Sequence, residues 1–436
     1  MDQEQERIQE DLRGLIAGEV RCDDVFVQLY ASDASIYQIK PLGVVAPRSS
    51  ADVAACVQYA AENHIPVHAR GAGTGLAGES IGPGLVIDFS RHMRRILEVG
   101  TDTVRVQPGV VYERLNASLR AFGRQFGPDP AMASVTTMGG VVGVDAAGSH
   151  WLKYGSARGH VRSMQIVLAD GHVLELGRES IDQIAIHESD VRKRDLVTQL
   201  AELLRRNAEL IATHQPRCRQ YRSGYHLAGV LSDGQLDLPR LLVGSEGTLA
   251  LTTAITLATQ PLPMHRGVAL LFFERSEDAA RAALEIVSLG ASACDIIDRR
   301  HLSLARETDG RYEAMIPSTA ETLLLVEYEA DSPIECHDRV ETIVNRIWHE
   351  RRSAFGARQA YDPEDVDFLW KLARKVVPTL YRLKGSTRPL PFVEDMIVPP
   401  ESLPGFLVEL QNILKRLQVT ASLFGHAGHG QLHLRP

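Results

Sequence analysis

The 436-residue sequence predicts an α+β protein with an N-terminal helical segment and two domains. Three observations predict this architecture. A strand–helix–strand unit leads into a glycine loop at Arg70, and a second run of small residues follows at Gly139. The chain then breaks at Pro261-Leu262-Pro263, after which strands and helices follow in a new rhythm. We therefore expect a helical segment over 1–43, a first domain over 44–262 and a second over 263–436.

The composition excludes several function classes. The chain has 44% hydrophobic residues, 47 basic and 55 acidic residues and a net charge of −8, which argues against a nucleic-acid-binding surface. No apolar run approaches the roughly 20 residues of a membrane span. The acidic N-terminus is unlike a signal peptide. We expect a cytoplasmic protein, with peripheral association with the inner membrane as the alternative.

The five cysteines are scattered singly through the sequence. They form no C-x-x-C pair that would hold zinc or an iron–sulfur cluster through cysteine thiolates.

The first part of the chain alternates helices and strands. We predict a surface helix over 5–17, closed by Gly18. Ser50 is the expected cap of the next helix. Predicted strands cover 44–46, 65–69 and 85–89, and a helix covers 50–62. This order gives a strand–helix–strand unit that delivers the chain to the glycine loop.

The glycine loop has the sequence RGAGTGLAG and begins at Arg70. Alternating glycines let backbone N–H groups surround a phosphate, and Arg70 adds positive charge. Taken alone, such a loop is also typical of an ordinary turn. A Rossmann fingerprint needs a helix directly after the glycines, but here a Gly-Pro-Gly run ending at Gly84 leads into another strand. The pattern therefore indicates a different phosphate cradle.

The second run of small residues extends from Met138 to Gly148. It leaves room for a flat or extended ligand against the backbone, or it is a loop over the core. Around it we predict strands over 96–99 and 103–107, a helix over 111–122, a hairpin over 161–176, and a helix over 190–213. Leu241 begins a predicted strand that runs into Gly244 and Gly247.

The second domain is predicted from a separate set of elements. Strands are expected over 268–273, 295–298 and 322–329, and helices over 278–289, 335–351 and 363–377. Asp362 is the expected N-cap of the last helix, and Lys371, Arg374 and Lys375 lie near its end. These basic side chains interact favourably with the negative end of the helix dipole, or they form an anion site with Arg382, Lys384 or Arg388.

The chain closes with three histidines in a glycine-rich stretch, at His426, His429 and His433. The glycines disfavour a helix, so we place the histidines on a loop leaving a strand that ends near Phe424. His426 and His433 converge on one metal if the loop folds back; otherwise the histidines face solvent.

Together these motifs resemble the flavin-linked oxidases of the vanillyl-alcohol oxidase/PCMH-type family, in the branch of D-lactate and D-2-hydroxyglutarate dehydrogenases. The most specific pieces are RGAGTGLAG at Arg70, the run from Gly139 to Ser156, VLADG at Val167, GSEGTL at Gly244 and GHAGHGQLH at Gly425. The resemblance implies a PCMH-type FAD-binding domain of two α/β subdomains and a ferredoxin-like α+β cap.

The resemblance also implies site residues. The first loop would bind the FAD pyrophosphate, the second would lie along the flavin, and GSEGTL would close over its ring. These implied cofactor residues are Arg70, Gly71, Ala72, Gly73, Thr74, Gly75, Thr137, Gly139, Gly140, Gly143, Gly148, Glu246 and Gly247. The first loop contains no histidine of the kind to which some relatives attach flavin, which implies non-covalent FAD. His426 and His433 match the family's divalent-metal ligands, with zinc the expected ion, and Arg374 lies within one position of its substrate-carboxylate arginine.

The chain departs from the family pattern in places. His429 stands where many relatives have an aspartate. The lysine that precedes Asp395 in 2-hydroxyglutarate dehydrogenases is replaced by Val393 and Glu394, which favours lactate as substrate. The family's third metal ligand and its histidine base lie beyond Pro436, so we expect a truncated chain. It most resembles long bacterial members whose C-terminal half carries a 4Fe-4S centre.

The expected function is FAD-dependent oxidation of a D-2-hydroxy acid, D-lactate ahead of D-2-hydroxyglutarate. Electrons would pass to an iron–sulfur domain, a quinone-linked carrier or a cytochrome, and a homo-oligomer is compatible with the sequence. The alternatives are a non-catalytic flavin-binding fragment and a flavoenzyme of the alkyl-glycerone-phosphate synthase type, which shares the fold without net oxidation.

Overall fold

The computed structural model describes residues 1–216, 218, 220, 223–381 and 388–436. The described chain divides into two compact units. The first unit holds most of the sequence up to Pro261. The second unit holds Leu262–Pro436 together with a short segment from the first half of the chain, Gly148–Gly155. This inserted segment has no counterpart in our sequence-based boundaries.

A mixed sheet begins the first unit, in the strand order β1-β2-β4-β3. Its central strands are parallel, and β1 pairs antiparallel with β2. The N-terminal segment therefore contributes an edge strand as well as helices. The cap of α3 is Ser49, one residue before the predicted Ser50, and its side chain accepts from the N–H of Asp52. The elements are α1 (Gln3–Leu15), β1 (Glu19–Arg21), α2 (Asp24–Leu29), β2 (Gly43–Ala46), α3 (Ser50–Glu62), β3 (Val67–Arg70) and β4 (Leu85–Asp88).

A second, antiparallel sheet of the first unit has the order β5-β6-β13-β8-β9. Its inner face packs with α4, α5 and α8 around a core that includes Val106, Leu115 and Ile255. The elements are β5 (Ile96–Val99), β6 (Thr103–Val106), α4 (Tyr112–Arg120), β7 (Arg124–Gln125), α5 (Met138–Gly143), α6 (Trp151–Tyr154, in the second unit), β8 (Val161–Val167), β9 (Val173–Leu176), β10 (Arg178–Ser180), α7 (Ile181–His187), α8 (Val191–Arg206), α9 (Ala208–Thr213), β11 (Leu231–Ser232), β12 (Gln235–Asp237), α10 (Leu238–Leu242), β13 (Leu251–Ala258) and β14 (Gln260–Pro261).

Two of our predictions in this unit were wrong, and a third stretch differs in part from one of its two alternatives. The apolar residues at Leu241 form the end of helix α10, which Asp237 caps and which has Pro239 in its first turn, so the helix-start signals outweighed the strand-like run. For the run from Met138 to Gly148 the sequence left two alternatives open, and its first part, Met138–Gly143, forms helix α5 rather than a loop over the core, because Met138, Val141 and Val142 are buried. The helix predicted over 190–213 is interrupted at Asn207, giving α8 and α9.

The second unit is built on one antiparallel sheet with the order β18-β15-β17-β16-β20-β21-β19. Alternate residues of β17 face opposite cores: Leu324 packs with α11, α14 and α17, and Leu325 packs with α12, α13 and α15. The elements are β15 (His265–Phe273), α11 (Ser276–Ser288), β16 (Ala293–Asp298), α12 (Arg299–Thr308), α13 (Gly310–Met315), β17 (Thr322–Ala330), α14 (Pro333–Val344, continued by a π-helical stretch, Asn345–Glu350), β18 (Gly356–Ala360), α15 (Pro363–Arg374), α16 (Val376–Leu380), β19 (Val393–Ile397), α17 (Leu403–Leu417), β20 (Ser422–His426) and β21 (Gln431–Arg435).

The end of the chain is a β-hairpin rather than a loop. β20 pairs with β21, so His426 ends one strand and His433 lies within the other. The glycines were correctly taken to exclude a helix, but Gly425 and Gly430 adopt positive φ and serve the hairpin instead. Our placement of His433 on a loop was therefore wrong.

Strand β19 carries a β-bulge beside this hairpin. Val393 pairs with Leu434 and Met396 pairs with Leu432, so Glu394 and Asp395 together oppose the single residue His433. Asp395 has a φ of 49°, in the left-handed region that such a bulge uses.

Candidate functional site

A cleft in the first unit gathers the two glycine-rich stretches and the segment after α10. Its lining comes from the loop after β3, from α5 and the residues before it, and from the chain between α10 and β13. Residues predicted from sequence to contact FAD that line this cleft are Arg70, Gly71, Ala72, Gly73, Thr74, Gly75, Thr137, Gly139, Gly140, Gly143, Glu246 and Gly247. Gly148, also predicted, belongs to the second unit.

Two of these glycines are required by close approach. A Cβ on Gly71 would lie 2.2 Å from the hydroxyl oxygen of Thr137, and a Cβ on Gly139 would lie 2.7 Å from the Cβ of Pro108. Both distances are shorter than real Cβ contacts. The backbone of the first loop and the start of α5 are thus held against each other without space for side chains, which leaves main-chain N–H groups along the cleft.

The Thr137 hydroxyl gives a test of whether the cleft fits a polar ligand. Its Oγ1 is buried and has no hydrogen-bond partner among the described residues. An unsatisfied buried hydroxyl costs about 1–3 kcal/mol. A bound phosphate or ribityl hydroxyl would satisfy this atom, so the residues present fit a flavin nucleotide.

Arg70 lines the cleft but also holds the N-terminal segment. Its guanidinium donates to the carbonyl oxygen of Ser32 at 2.9 Å and stands over the ring of Tyr30, 5.2 Å from the centroid. The N–H of Ala34 donates to the carbonyl of Gly73 at 3.0 Å. Burial lowers the pKa of Arg70. Sequence reasoning missed this support, because nothing in the pattern of residues 30–34 marks it.

Two carboxylates face the same cleft. Glu79 accepts from the N–H of Ala77 at 3.1 Å, and a Cβ on Gly75 would lie 2.3 Å from Glu79 Oε1. Burial, and then the nearby charge of Glu79, raises the pKa of Glu246 above the ordinary value of 4.5. The cleft therefore carries a carboxyl group that gains protons more readily than one in water.

The histidine hairpin lies in the second unit. The ring centroids of His426 and His433 are 5.9 Å apart and their planes are nearly perpendicular. His426 Nδ1 is 2.7 Å from Asp295 Oδ1, and His433 Nδ1 is 2.6 Å from Glu394 Oε2. A carboxylate accepts but does not donate, so each Nδ1 carries a proton, and in the neutral form of each ring the lone pair lies on Nε2. This is the tautomer of a histidine that binds metal through Nε2.

The carboxylates near His433 have other partners. Glu394 forms an ion pair with Arg435, and Asp395 accepts from the side-chain amide of Gln431. Glu394, Asp395 and His433 also bring ligand atoms within 4.8 Å of one another. Because the acids are already bonded, two imidazole nitrogens are the better donors, and imidazole is a ligand that suits zinc.

Arg374 lies at the end of α15, as its sequence position predicted. It is exposed, and its guanidinium carbon stands 5.4 Å from the ring centroid of Trp370. The indole N–H of Trp370 donates to Glu327 Oε2 at 2.5 Å. Arg382 and Lys384, which we had considered as partners in an anion site, lie outside the described residues, whereas Arg388 is described and exposed.

Glu327 is the centre of a buried network that sequence reasoning missed. It is 0% exposed and accepts from Arg266 at 2.8 Å, from Trp370, and from His150 Nε2 at 2.9 Å. Burial disfavours the charged carboxylate, but His150 and Arg266 outweigh that cost and hold its pKa far below the ordinary value. The sequence did carry a signal for this network, because two glutamates at alternate positions interrupt the apolar strand LLLVEYEA.

The inserted segment Gly148–Gly155 contacts the sheet of the second unit with successive side chains. Ser149 donates to Asp295 at 2.6 Å, and Lys153 and Tyr154 each donate to Glu329 at 2.6 Å. Trp151 stands 4.9 Å from the ring of His429. His150, Glu327 and Glu329 form a compact group of potential ligands, but arginine and lysine already neutralise these acids, so the group is an ion-pair network rather than a metal site.

Two family models match the chain. The FAD binding domain matches residues 41–177, and the C-terminal domain of FAD linked oxidases matches residues 262–436. In the part of the chain that the structure describes, no helix is both long enough and apolar enough to cross a membrane.

Named relatives agree with these models. The chain is 33% identical over 429 residues to a D-2-hydroxyglutarate dehydrogenase of Pantoea ananatis, covering 93% of this chain and 42% of that protein. It is 26% identical to a D-lactate dehydrogenase of Archaeoglobus fulgidus, covering 90% of this chain and 74% of that protein. The chain thus spans less than half the length of the first of these relatives.

A solved structure supports the fold. An alkyldihydroxyacetonephosphate synthase superposes with a TM-score of 0.68 over 99% of this chain and 80% of its own, at 18% sequence identity. The glycine-lined cleft of the first unit, the antiparallel sheet of the second and the two matched domains lead to one conclusion: the chain belongs to the FAD-linked oxidases of the vanillyl-alcohol oxidase/PCMH type.

Proposed function

We propose that this chain is the flavin-binding part of a dehydrogenase that oxidises a D-2-hydroxy acid, D-lactate or D-2-hydroxyglutarate, to the 2-oxo acid. The observation that carries the proposal is the cleft of the first unit, in which two glycine stretches and the orphaned Thr137 hydroxyl suit a flavin nucleotide. Relatives named for oxidation of these acids support the substrate class. An iron–sulfur domain, a quinone-linked carrier or a cytochrome would receive the electrons.

FAD would be held without a covalent bond. The main-chain N–H groups of Gly71–Gly75 would face its pyrophosphate, while Thr137, Gly139 and Gly140 would line its flexible chain. When bound, FAD supplies the two-electron acceptor of the reaction.

The histidine hairpin would hold a divalent metal, with zinc the expected ion. His426 and His433 would supply two ligands through Nε2, because their Nδ1 protons are engaged by Asp295 and Glu394. When bound, such an ion supplies a Lewis acid for the substrate oxygen atoms. The bond from Glu394 to Arg435 keeps that carboxylate compensated, so it would orient His433 rather than coordinate the metal.

Arg374 would bind the substrate carboxylate. It is exposed at the end of its helix, and its guanidinium stands over the ring of Trp370 in a cation–π contact that restricts its motion. An arginine held in this way keeps its N–H groups available for a bidentate carboxylate contact. Arg374→Lys is expected to raise KM for the hydroxy acid by about tenfold or more, since lysine lacks the planar fork.

The test is anaerobic absorbance spectroscopy of the FAD-loaded protein before and after addition of D-lactate and then D-2-hydroxyglutarate. Bleaching of the flavin band by either acid supports a dehydrogenase and identifies its substrate. A bound flavin that neither acid reduces would contradict the proposal and favour a non-catalytic flavin protein or one of the synthase type. L-lactate is the matched control for stereochemistry.

His426→Ala tests the metal separately from the flavin. We expect it to retain FAD, because the substitution lies outside the flavin cleft, and to lose hydroxy-acid-dependent bleaching. Bleaching at the wild-type rate would contradict the metal assignment while leaving the dehydrogenase assignment intact.

A further inference from the structure

Asp295 stands between His426 and the inserted segment Gly148–Gly155. One carboxylate oxygen is 2.7 Å from His426 Nδ1, and the other accepts a hydrogen bond from the Ser149 hydroxyl at 2.6 Å. The Asp295 residue is 4% exposed. Both oxygens are therefore engaged, and rotating the carboxylate would break one of the two bonds.

The sheet fixes where Asp295 stands. β16 pairs with β20 so that Ile297 faces Phe424 and Ile296 faces Gly425. The next residues in this antiparallel register are Asp295 and His426, whose side chains share one face of the sheet. Their contact is therefore set by backbone pairing rather than by a chance side-chain rotamer.

The inserted segment supports the same hairpin at other points. Gly428, between the two hairpin histidines, packs so closely that a Cβ would lie 2.7 Å from Leu152 Cδ1. Trp151 stands against the ring of His429. Ser149 thus belongs to a segment that packs against the hairpin at several points. This packing fixes the position of its hydroxyl, which donates to Asp295.

We propose that Asp295 and Ser149 are positioning residues for His426. Asp295 holds the ring in the Nδ1–H tautomer, with Nε2 as the donor nitrogen, and Ser149 holds the carboxylate in the plane that this bond needs. The proposal rests on the metal site of the proposed function, and it adds which residues outside the ligand set determine metal affinity. Outer carboxylates of metal-bound histidines typically change affinity by about 10–100-fold when they are replaced.

The first experiment needs no metal. Long-range ¹H–¹⁵N spectra of histidine-labelled protein report which ring nitrogen carries the proton, and the His426 signals are assigned by their loss in His426→Gln. We expect the Nδ1–H tautomer in the wild type and a shift toward Nε2–H in Asp295→Asn. An unchanged tautomer in Asp295→Asn would overturn the positioning role.

The second experiment measures zinc affinity by chelator competition. Asp295→Asn is expected to lose about 10–100-fold and Ser149→Ala several-fold. The matched control is Ser422→Ala, since Ser422 donates at 3.0 Å to Asp298, which lies on the same strand as Asp295. Its affinity should equal that of the wild type. Equal zinc affinities for Asp295→Asn and the wild type would overturn the proposal.

The two experiments separate the failure of this inference from failure of the metal site. If His426→Gln and the wild type bind zinc equally, the metal assignment is wrong, and the tautomer spectra alone decide whether Asp295 orients the ring. If the wild type binds zinc through His426 but the Asp295 and Ser149 variants match it, the metal site stands and the positioning role is refuted.

Discussion

Replacing Glu327 by glutamine should destabilise the second unit far more than any surface charge change. In the wild type the buried carboxylate accepts from Arg266, His150 and Trp370. Glutamine keeps the shape of the side chain but removes the negative charge, and its NH₂ group must face one of these donors. The positive partner Arg266, whose side chain is 29% exposed, then keeps, among the described residues, only the exposed Asp367, at 3.4 Å, as an ion-pair partner.

The size of the effect follows from this partial exposure. Breaking a fully buried ion pair costs about 3–5 kcal/mol. Because water reaches part of Arg266, we take the lower end, about 3 kcal/mol. For a folding unit of this size, each kcal/mol shifts the melting temperature by about 2–4 °C, so a decrease of about 6–12 °C is expected.

The assay is differential scanning calorimetry, with Glu321→Gln as the matched control. Glu321 precedes β17 and pairs with Arg299 at 2.9 Å, but their side chains are 44% and 63% exposed, so the loss should stay below about 1 kcal/mol. The wild-type advantage over Glu327→Gln should also shrink as the pH falls below the ordinary glutamate value, because the unfolded chain then binds a proton that the folded carboxylate, with its lowered pKa, does not. Equal melting temperatures for the two variants would refute the reasoning.

Three further predictions concern the two units. Gly71→Ala should lower FAD occupancy at least tenfold, because the added methyl meets the Thr137 hydroxyl at 2.2 Å; the 450 nm to 280 nm absorbance ratio of purified protein measures it, and Gly405→Ala, with open space around its Cβ, is the control. Stability of the apoprotein should fall as pH rises through the folded-state pKa of Glu246, which burial raises, and Glu246→Gln should flatten that slope in urea titrations; parallel slopes would count against it. Burial lowers the pKa of His301 to about 4, so the folded state resists protonation and about 3 kcal/mol of stability should be lost between pH 6.5 and pH 4, and His301→Gln, which can still donate to the Leu372 carbonyl, should remove this loss.

Much of the fold could be predicted from local chemistry. The strand–glycine loop–strand order at Arg70 excluded a Rossmann unit, and the structure has β3, the loop and β4 in that order. Asp362 caps α15 as predicted, with Pro363 in its first turn. These features depend on neighbours in sequence, where cap and turn preferences act directly.

What could not be predicted depends on distant partners. The sequence marks His426 as a ligand candidate, but it does not reveal that Asp295, 131 positions earlier, bonds to its ring. Likewise the segment Gly148–Gly155 continues a glycine-rich run of the first unit yet packs with the second. Strand register between β16 and β20 determines such contacts, and register is a property of the assembled sheet.

The bulge in β19 determines how many acidic side chains lie near His433, because it adds one residue to the strand opposite this histidine. In an uninterrupted strand, consecutive side chains point to opposite faces, and only one of two adjacent acids could approach a given cross-strand histidine. The extra residue brings Glu394 to 2.6 Å and Asp395 to 3.8 Å from the same nitrogen. Deleting one residue of the bulge would restore ordinary pleating. Only one acid would then lie close to the histidine. A deletion of one codon would thus change the charge close to His433 without any substitution. Libraries of point substitutions do not contain such a change.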